Sequence, residues 1–150
     1  MDSVTQFVLG ASISGALLGP RIGAKSLLIG GLVGTLPDLD SLIPIDDAID
    51  SMTYHRGFSH SVFVQTALSP VIAVVIGKIF PSSWAHKKIL FLTVWLVLIT
   101  HSLLDSLTTY GTQIFWPMDF GPPVAFSAVF IIDPIYTLLL ISGVFAVFFI

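Results

Sequence analysis

The chain has 150 residues, of which 55% are hydrophobic and only 10% are charged. Soluble domains carry roughly 25% charged residues, so this composition predicts an integral membrane protein with one domain, residues 1–150. The net charge of −3 and six scattered basic residues exclude nucleic-acid binding as a main function. Because the sequence has no cysteine, a bound metal would need imidazole and carboxylate ligands, which suit zinc, manganese or magnesium.

Five apolar stretches predict an all-α, polytopic transmembrane bundle. They are residues 4–19, 26–36, 62–80, 89–107 and 134–150. A membrane span needs about 20 apolar residues, so the last three are long enough and the first two are short. The fifth stretch has no polar flank where the sequence stops, which predicts a chain truncated at its C-terminus within a transmembrane helix.

The first two stretches are predicted to form a short, tight hairpin. Ala11, Gly15 and Gly19 recur at four-residue spacing, and Gly30 and Gly34 form a GxxxG pattern. Small residues at this spacing let two helix backbones approach closely. Whether this hairpin spans the membrane fully or in part stays open.

The basic residues predict the orientation of the chain. They lie in the first and third loops and are Arg21, Lys25, Lys78, Lys87 and Lys88. The positive-inside rule places these loops in the cytoplasm, and alternating helices then put the loop of residues 38–61 outside. All the aspartates and three histidines fall on this outer face. The fourth histidine, His86, lies among the lysines and is excluded from any site.

Asp38 and Asp40 follow Pro37, which is expected to end the second helix. In an extended segment this spacing points both carboxylates to one side, where they repel each other unless a cation or proton lies between them. The alternative is a turn in which they only cap backbone N–H groups.

His55 and His60 flank Gly57, which permits a sharp turn that could bring the two imidazoles together. Arg56 is the only basic residue on the predicted outer face, where it could bind an anionic substrate group. The alternative is an ordinary polar loop in which a serine caps the third helix and Arg56 pairs with a lipid phosphate.

His101 and Asp105 are four residues apart within an apolar stretch and therefore share one helical face. The pair is expected to lie in the outer third of the hydrocarbon layer, where a charged residue costs about 1–3 kcal/mol. Both side chains should therefore face the interior of the bundle, with a partner. A neutral His–Asp hydrogen bond between packed helices and a proton relay are the alternatives.

Asp133 precedes Pro134 and is typical of an N-cap followed by a first helical residue, which makes it the least specific metal-ligand candidate. Nevertheless, four motifs with metal-compatible groups fall on one predicted membrane face. Independent structural roles would not require that coincidence.

Together these motifs resemble the bacterial membrane-bound metal-dependent hydrolase family, also called YdjM-like. The resemblance covers nearly the whole chain and depends on LPDLD, HRGFSHS, HSLLD, TYGT and DP, which begin at residues 36, 55, 101, 109 and 133. It implies a helical hydrolase in the inner membrane of a bacterial or archaeal cell, with a histidine pattern similar to that of zinc-dependent phospholipases C. Family members often have a histidine where this chain has Gln6. Either one metal position is weakened here, or that histidine was never a ligand and Gln6 keeps only its hydrogen bonding.

The sequence therefore predicts a hydrolase that uses a metal-activated water, with zinc as the first choice and manganese or magnesium as alternatives. The substrate would be a phosphoester or lipid-derived molecule that enters from the membrane lipids. Arg56 would stabilise developing negative charge, and Asp40 or Asp105 would act as general base. The rival functions are a proton- or ion-coupled transporter and a non-enzymatic membrane scaffold. The predicted metal ligands are Asp38, Asp40, His55, His60, His101, Asp105 and Asp133.

Overall fold

The computed structural model describes residues 1–42, 56–118 and 120–147. Six α-helices and two short 3-10 helices form in these ranges, and the only β-pairing within them is one antiparallel bridge between Thr112 and Val124. The predicted all-α class is therefore confirmed. The α-helices are α1 (Ser3–Ile22), α2 (Lys25–Thr35), α3 (Val62–Ile79), α4 (Pro81–Trp84), α5 (Lys87–Ser106) and α6 (Pro134–Val147), and the 3-10 helices are Pro37–Leu42 and Phe58–His60.

Helices α3 and α5 are long and apolar enough to cross a membrane, whereas α2 and α6 are shorter apolar helices. Helix α1 is longer than predicted, because it continues through Pro20 to Ile22. The described part of α6 has 14 residues, which is less than a span. The described residues thus contain two spanning candidates instead of three, and the five-helix polytopic arrangement stays a prediction.

Glycines allow α1 and α2 to pack backbone against backbone, which confirms the predicted hairpin. A Cβ atom added at Gly10 would lie 2.1 Å from the carbonyl oxygen of Gly30, and one added at Gly34 would lie 2.6 Å from that of Gln6. The GxxxG pattern of α2 therefore lies in the contact, as predicted. On α1 the closest approach is at Gly10, which precedes the small-residue series that the sequence indicated.

Helix α5 is the centre of the bundle and carries two of the site residues in its last turns. It packs against α1, α2 and α3. Its buried side chains form the core together with residues of those three helices, which bury apolar surface against it. The core residues are Leu18, Ile29, Val33, Ala73, Ile76, Leu90, Val94, Val97 and Leu98.

Helix α2 ends at Thr35, just before Leu36 and Pro37, so the predicted boundary is confirmed. Leu36 itself keeps helical backbone angles, with φ −58° and ψ −43°, and the α-helix stops because Pro37 has no N–H to continue it. The last carbonyl groups of a helix have no partner within it. The Gly34 carbonyl is therefore available to another part of the chain, and it points to α5, where His101 lies.

Candidate metal centre

Four side chains meet at the end of α5 opposite Lys87. Asp38, His60, His101 and Asp105 each offer one ligand atom, and these atoms lie within 4.8 Å of one another. They come from the 3-10 helix after α2, the 3-10 helix before α3 and the last turns of α5. The two histidines and Asp105 are fully buried. The predicted placement of this end on the outer face stays a prediction.

The histidine Nε2 atoms lie at the centre of the group, 3.0 Å apart. His60 Nε2 is 3.2 Å from Asp105 Oδ2 and 3.7 Å from Asp38 Oδ1. His101 Nε2 is 3.5 Å from Asp38 Oδ1 and 3.9 Å from Asp105 Oδ2. Atoms from three separate chain segments therefore surround one small volume.

Partners on the far side of each imidazole set its tautomer. His101 Nδ1 lies 2.7 Å from the carbonyl oxygen of Gly34, which can only accept, so His101 Nδ1 carries a hydrogen. His60 Nδ1 lies 2.8 Å from Ser59 Oγ, whose own hydrogen is donated to Asp40 Oδ2. Ser59 therefore accepts from His60 Nδ1–H. In its neutral form each imidazole then presents the lone pair of its Nε2 to the centre.

Two lone pairs and two carboxylates that face one volume repel one another unless a cation or a proton lies among them. Asp38 Oδ2 and Asp105 Oδ2 are also buried, and neither accepts a hydrogen bond within the described part of the chain. Ligand atoms about 2.0–2.2 Å from a tetrahedral zinc are roughly 3.3 Å apart. The measured separations of 3.0 to 3.9 Å between each imidazole Nε2 and its neighbours match that spacing. The residues present therefore fit a four-coordinate metal.

The pKa values of Asp38 and His60, the two site residues outside the α-helices, indicate the same preference for positive charge. Burial by itself would raise the pKa of Asp38, but His101 and His60 outweigh it and hold that pKa below its usual range. Burial by itself would lower the pKa of His60, but the Asp105 and Asp38 carboxylates outweigh it and raise that pKa. A proton on His60 is thus stabilised in the place where a metal would bind.

Gln6 supports Asp105 from α1. Its side chain is 1% exposed, and its Nε2 donates to Asp105 Oδ1 at 3.0 Å. The α-amino group of Met1 donates to the same oxygen. Gln6 therefore has a hydrogen-bonding role at the site, and whether a metal position is weakened by the absence of histidine there stays a prediction.

Gln65 is a supporting residue that the sequence reasoning missed. Its Nε2 donates to Ser102 Oγ at 2.7 Å and to the carbonyl oxygen of Ser59 at 3.0 Å, so it joins α3 to α5 beside the site. The sequence did contain an indication of this role, because a glutamine within an apolar spanning stretch needs a buried polar partner.

Arg56 borders the site with its side chain only 11% exposed. Its Nε lies 3.5 Å from Asp105 Oδ2, and its Nη1 donates to Thr108 Oγ1 at 3.2 Å. Its guanidinium carbon is 5.9 Å from the centre of the Tyr110 ring. Its backbone has a φ of 67°, a conformation that is uncommon for a residue with a side chain. The protein thus holds a second cation, in addition to the α-amino group of Met1, in a fixed position beside the Asp105 carboxylate.

Asp40 and Asp133 lie outside the four-atom group. The segment that carries Asp38 and Asp40 is a 3-10 helix, so the predicted extended conformation is wrong. The two carboxylates therefore flank His60 from opposite sides, with Asp40 Oδ2 3.7 Å from Nδ1. Asp133 caps α6 by accepting from the backbone N–H of Tyr136 at 3.0 Å, which confirms the N-cap, and its ligand role stays a prediction. His55 lies outside the described residues.

Comparison with known proteins gives the family. The model of the YdjM inner membrane protein family matches residues 1–150. Inner membrane protein YbcI of Escherichia coli K12 is 38% identical over 101 residues, which cover 66% of this chain and 57% of YbcI. Uncharacterized protein YfhP of Bacillus subtilis 168 is 29% identical over 126 residues, which cover 78% of this chain and 37% of YfhP.

The matched part thus spans about half or less of these relatives. No solved structure matches the chain. The family model covers the chain from end to end, and both it and the relative from Escherichia coli are described as inner membrane proteins. The chain therefore belongs to the YdjM inner membrane protein family and is located in the bacterial inner membrane.

Proposed function

We propose that this protein is a zinc-dependent hydrolase that cleaves phosphoesters at the membrane surface. The observation that carries the proposal is the convergence of four lone-pair ligand atoms whose imidazole tautomers are fixed from behind. The α-amino group of Met1 and Arg56 balance Asp105 from outside the group. The two Nε2 atoms and the Asp38 carboxylate still face one volume, which has an electrostatic cost unless a metal ion or a proton lies inside it.

The donor set favours zinc over magnesium. Magnesium prefers octahedral oxygen ligands and keeps several waters, whereas two imidazoles with one or two carboxylates suit zinc.

A catalytic zinc keeps one position open, so three protein ligands are expected. We assign His60, His101 and Asp38 to that role and Asp105 to general base. Gln6 Nε2 and Arg56 Nε contact the Asp105 carboxylate and can orient it without a metal. Asp40 acts through Ser59 on His60 and is a positioning residue, which differs from the base role that the sequence suggested.

When bound, zinc would polarise the phosphoryl oxygen and lower the pKa of a water toward about 7. The water oxygen forms a bond to phosphorus, and the bond between phosphorus and the leaving oxygen breaks. Asp105 accepts the proton of the water and returns it to the leaving oxygen, so the products are an alcohol and a phosphate with one ester bond fewer. Arg56 stabilises negative charge on the phosphoryl oxygens.

The test combines metal analysis with turnover. Protein purified in detergent should contain zinc, which His60→Ala and His101→Ala should lose and His86→Ala should keep. After chelation, added zinc should restore hydrolysis of ethyl p-nitrophenyl phosphate. Zinc at wild-type level in both ligand variants would overturn the metal site. Zinc binding without hydrolysis of any phosphoester would instead favour a metal-stabilised scaffold.

A further inference from the structure

A groove separates α2 from α3 on the surface of the described bundle. Ten side chains line it, all of them apolar, and its volume is about 270 Å³. Both helices pack against α5, which leaves the space between them open. Because α3 is a spanning candidate, this groove lies at the depth of the lipid hydrocarbon.

The groove has a closed floor and open walls. Ile29, Val33 and Ile76 form the floor and are buried. Leu32 and Val75 stand on the two walls and are each 49% exposed. A molecule in the groove would thus contact protein on one side and could enter from the surrounding lipid on the other.

One wall leads directly to the metal centre. Leu36 lines the groove and is only two residues before Asp38. On the same helix, the Gly34 carbonyl oxygen contacts His101. The backbone that forms the wall is therefore the backbone that holds two of the four converging side chains.

We infer that the groove binds a hydrocarbon chain of the substrate, so that the hydrolase acts on a phosphoester lipid whose head group lies at Arg56 and the metal centre. This inference rests on the proposed function and names its substrate class. A single acyl chain is thin enough to enter, and Arg56 matches the charge of a lipid phosphate.

A chain-length comparison tests the inference in the zinc-loaded protein. The probes are two p-nitrophenyl phosphate diesters, one with an ethyl and one with a dodecyl group. Val75→Trp fills the groove, and Leu68→Trp is the matched control, since Leu68 is an exposed α3 residue that does not line it. Because a chain that moves from detergent or lipid into the groove passes from one apolar environment to another, the test compares the chain-length preference of the two variants.

The wild-type protein should prefer the dodecyl ester in kcat/KM, because the groove holds its chain and thereby positions the phosphoester at the metal centre. Leu68→Trp should keep this preference, whereas Val75→Trp should reduce it toward one. Equal preferences in the two variants, with zinc content unchanged in both, would overturn the groove as the site of the chain.

A binding measurement separates this inference from the proposed hydrolysis. The probe is a phosphatidylglycerol with a diazirine midway along one acyl chain, in phosphatidylethanolamine vesicles. Cross-links should concentrate on groove residues of α2 and α3, and Val75→Trp should remove them while Leu68→Trp does not. Cross-links in the groove without turnover of either ester would support the groove as a lipid-binding site and contradict the proposed hydrolase activity. Cross-links spread evenly over the helices, or cross-links between two copies of the chain at the groove, would reject lipid as its occupant.

Discussion

The histidines at the two ends of the bundle lie in opposite environments. At one end His60 and His101 are fully buried, and each imidazole is held by a partner at Nδ1. At the other end His86 is partly exposed at the start of α5 and makes no capping hydrogen bond with its side chain. The core next to His86 is apolar, with Leu90 and Val94 fully buried. The comparison teaches that the environment, and not the residue type, creates a metal-ligand candidate.

The largest expected effect is on zinc affinity, and it tests directly whether the two ends differ in metal binding. His101→Ala removes a ligand and should weaken zinc affinity by more than about 100-fold, since even loss of a residue that supports a ligand costs 10–100-fold. His86→Ala should leave the affinity unchanged. Competition with a fluorescent zinc chelator measures both variants, and equal affinities would mean that the two ends do not differ in metal binding.

Acidic pH should lower zinc affinity at the end that contains His60, and so reduce the difference in metal binding between the two ends. Below its raised pKa, His60 of the metal-free protein holds a proton, which must leave before zinc can bind. Zinc affinity should therefore fall as pH drops through that raised pKa, by up to about tenfold per pH unit for one displaced proton. Asp38 does not compete in this window, because its pKa is below the usual range. Isothermal titration calorimetry between neutral and mildly acidic pH should show proton release; an affinity independent of pH would contradict the assignment of His60 as a ligand.

Ser59→Ala tests how much the support of a ligand contributes, because it leaves every candidate metal ligand in place. The substitution removes the group that accepts from His60 Nδ1, so His60 loses its fixed tautomer and zinc affinity should fall about 10-fold or more. Ser12→Ala is a control, because Ser12 bonds backbone carbonyls on α1 and α6 away from the site. Turnover lost with zinc affinity unchanged would instead indicate that Ser59 takes part in the chemistry itself.

The smallest effect concerns a residue at the site end that has no place in the metal group. Asp133→Ala removes the α6 N-cap and should lower the free energy of unfolding by about 1 kcal/mol. Asp133→Asn should retain most of that stability, since asparagine caps equally well. Thermal unfolding in detergent measures the change, and loss of zinc in Asp133→Asn would show that the carboxylate binds metal after all.

Local patterns in the sequence predicted the parts of this structure that depend on neighbouring residues. Pro37 ends α2, Asp133 caps α6, and Gly30 and Gly34 lie in the hairpin contact. Proline geometry, capping and small-residue packing act over a few residues, so one sequence is sufficient to predict them.

The candidate site was predictable in its residue types but not in its arrangement. Nothing near Asp40 in the sequence indicates that it bonds Ser59 and flanks His60 from the side opposite Asp38. Gln6 reaches Asp105 across 99 residues of sequence. Such contacts follow from how the helices pack, and the sequence could indicate only that these polar groups needed partners.

The end of α2 has a consequence for when metal can be taken up during folding. If α2 continued past Pro37, the backbone N–H of Asp38 would take the Gly34 carbonyl that His101 now uses. Because α2 ends here, the Gly34 carbonyl can accept from His101 and hold its proton on Nδ1. The same helix end places Asp38 outside the α-helix. Because the Gly34–His101 contact exists only after the hairpin has docked on α5, tight metal binding should report a completed bundle, and zinc uptake would be a late step of assembly.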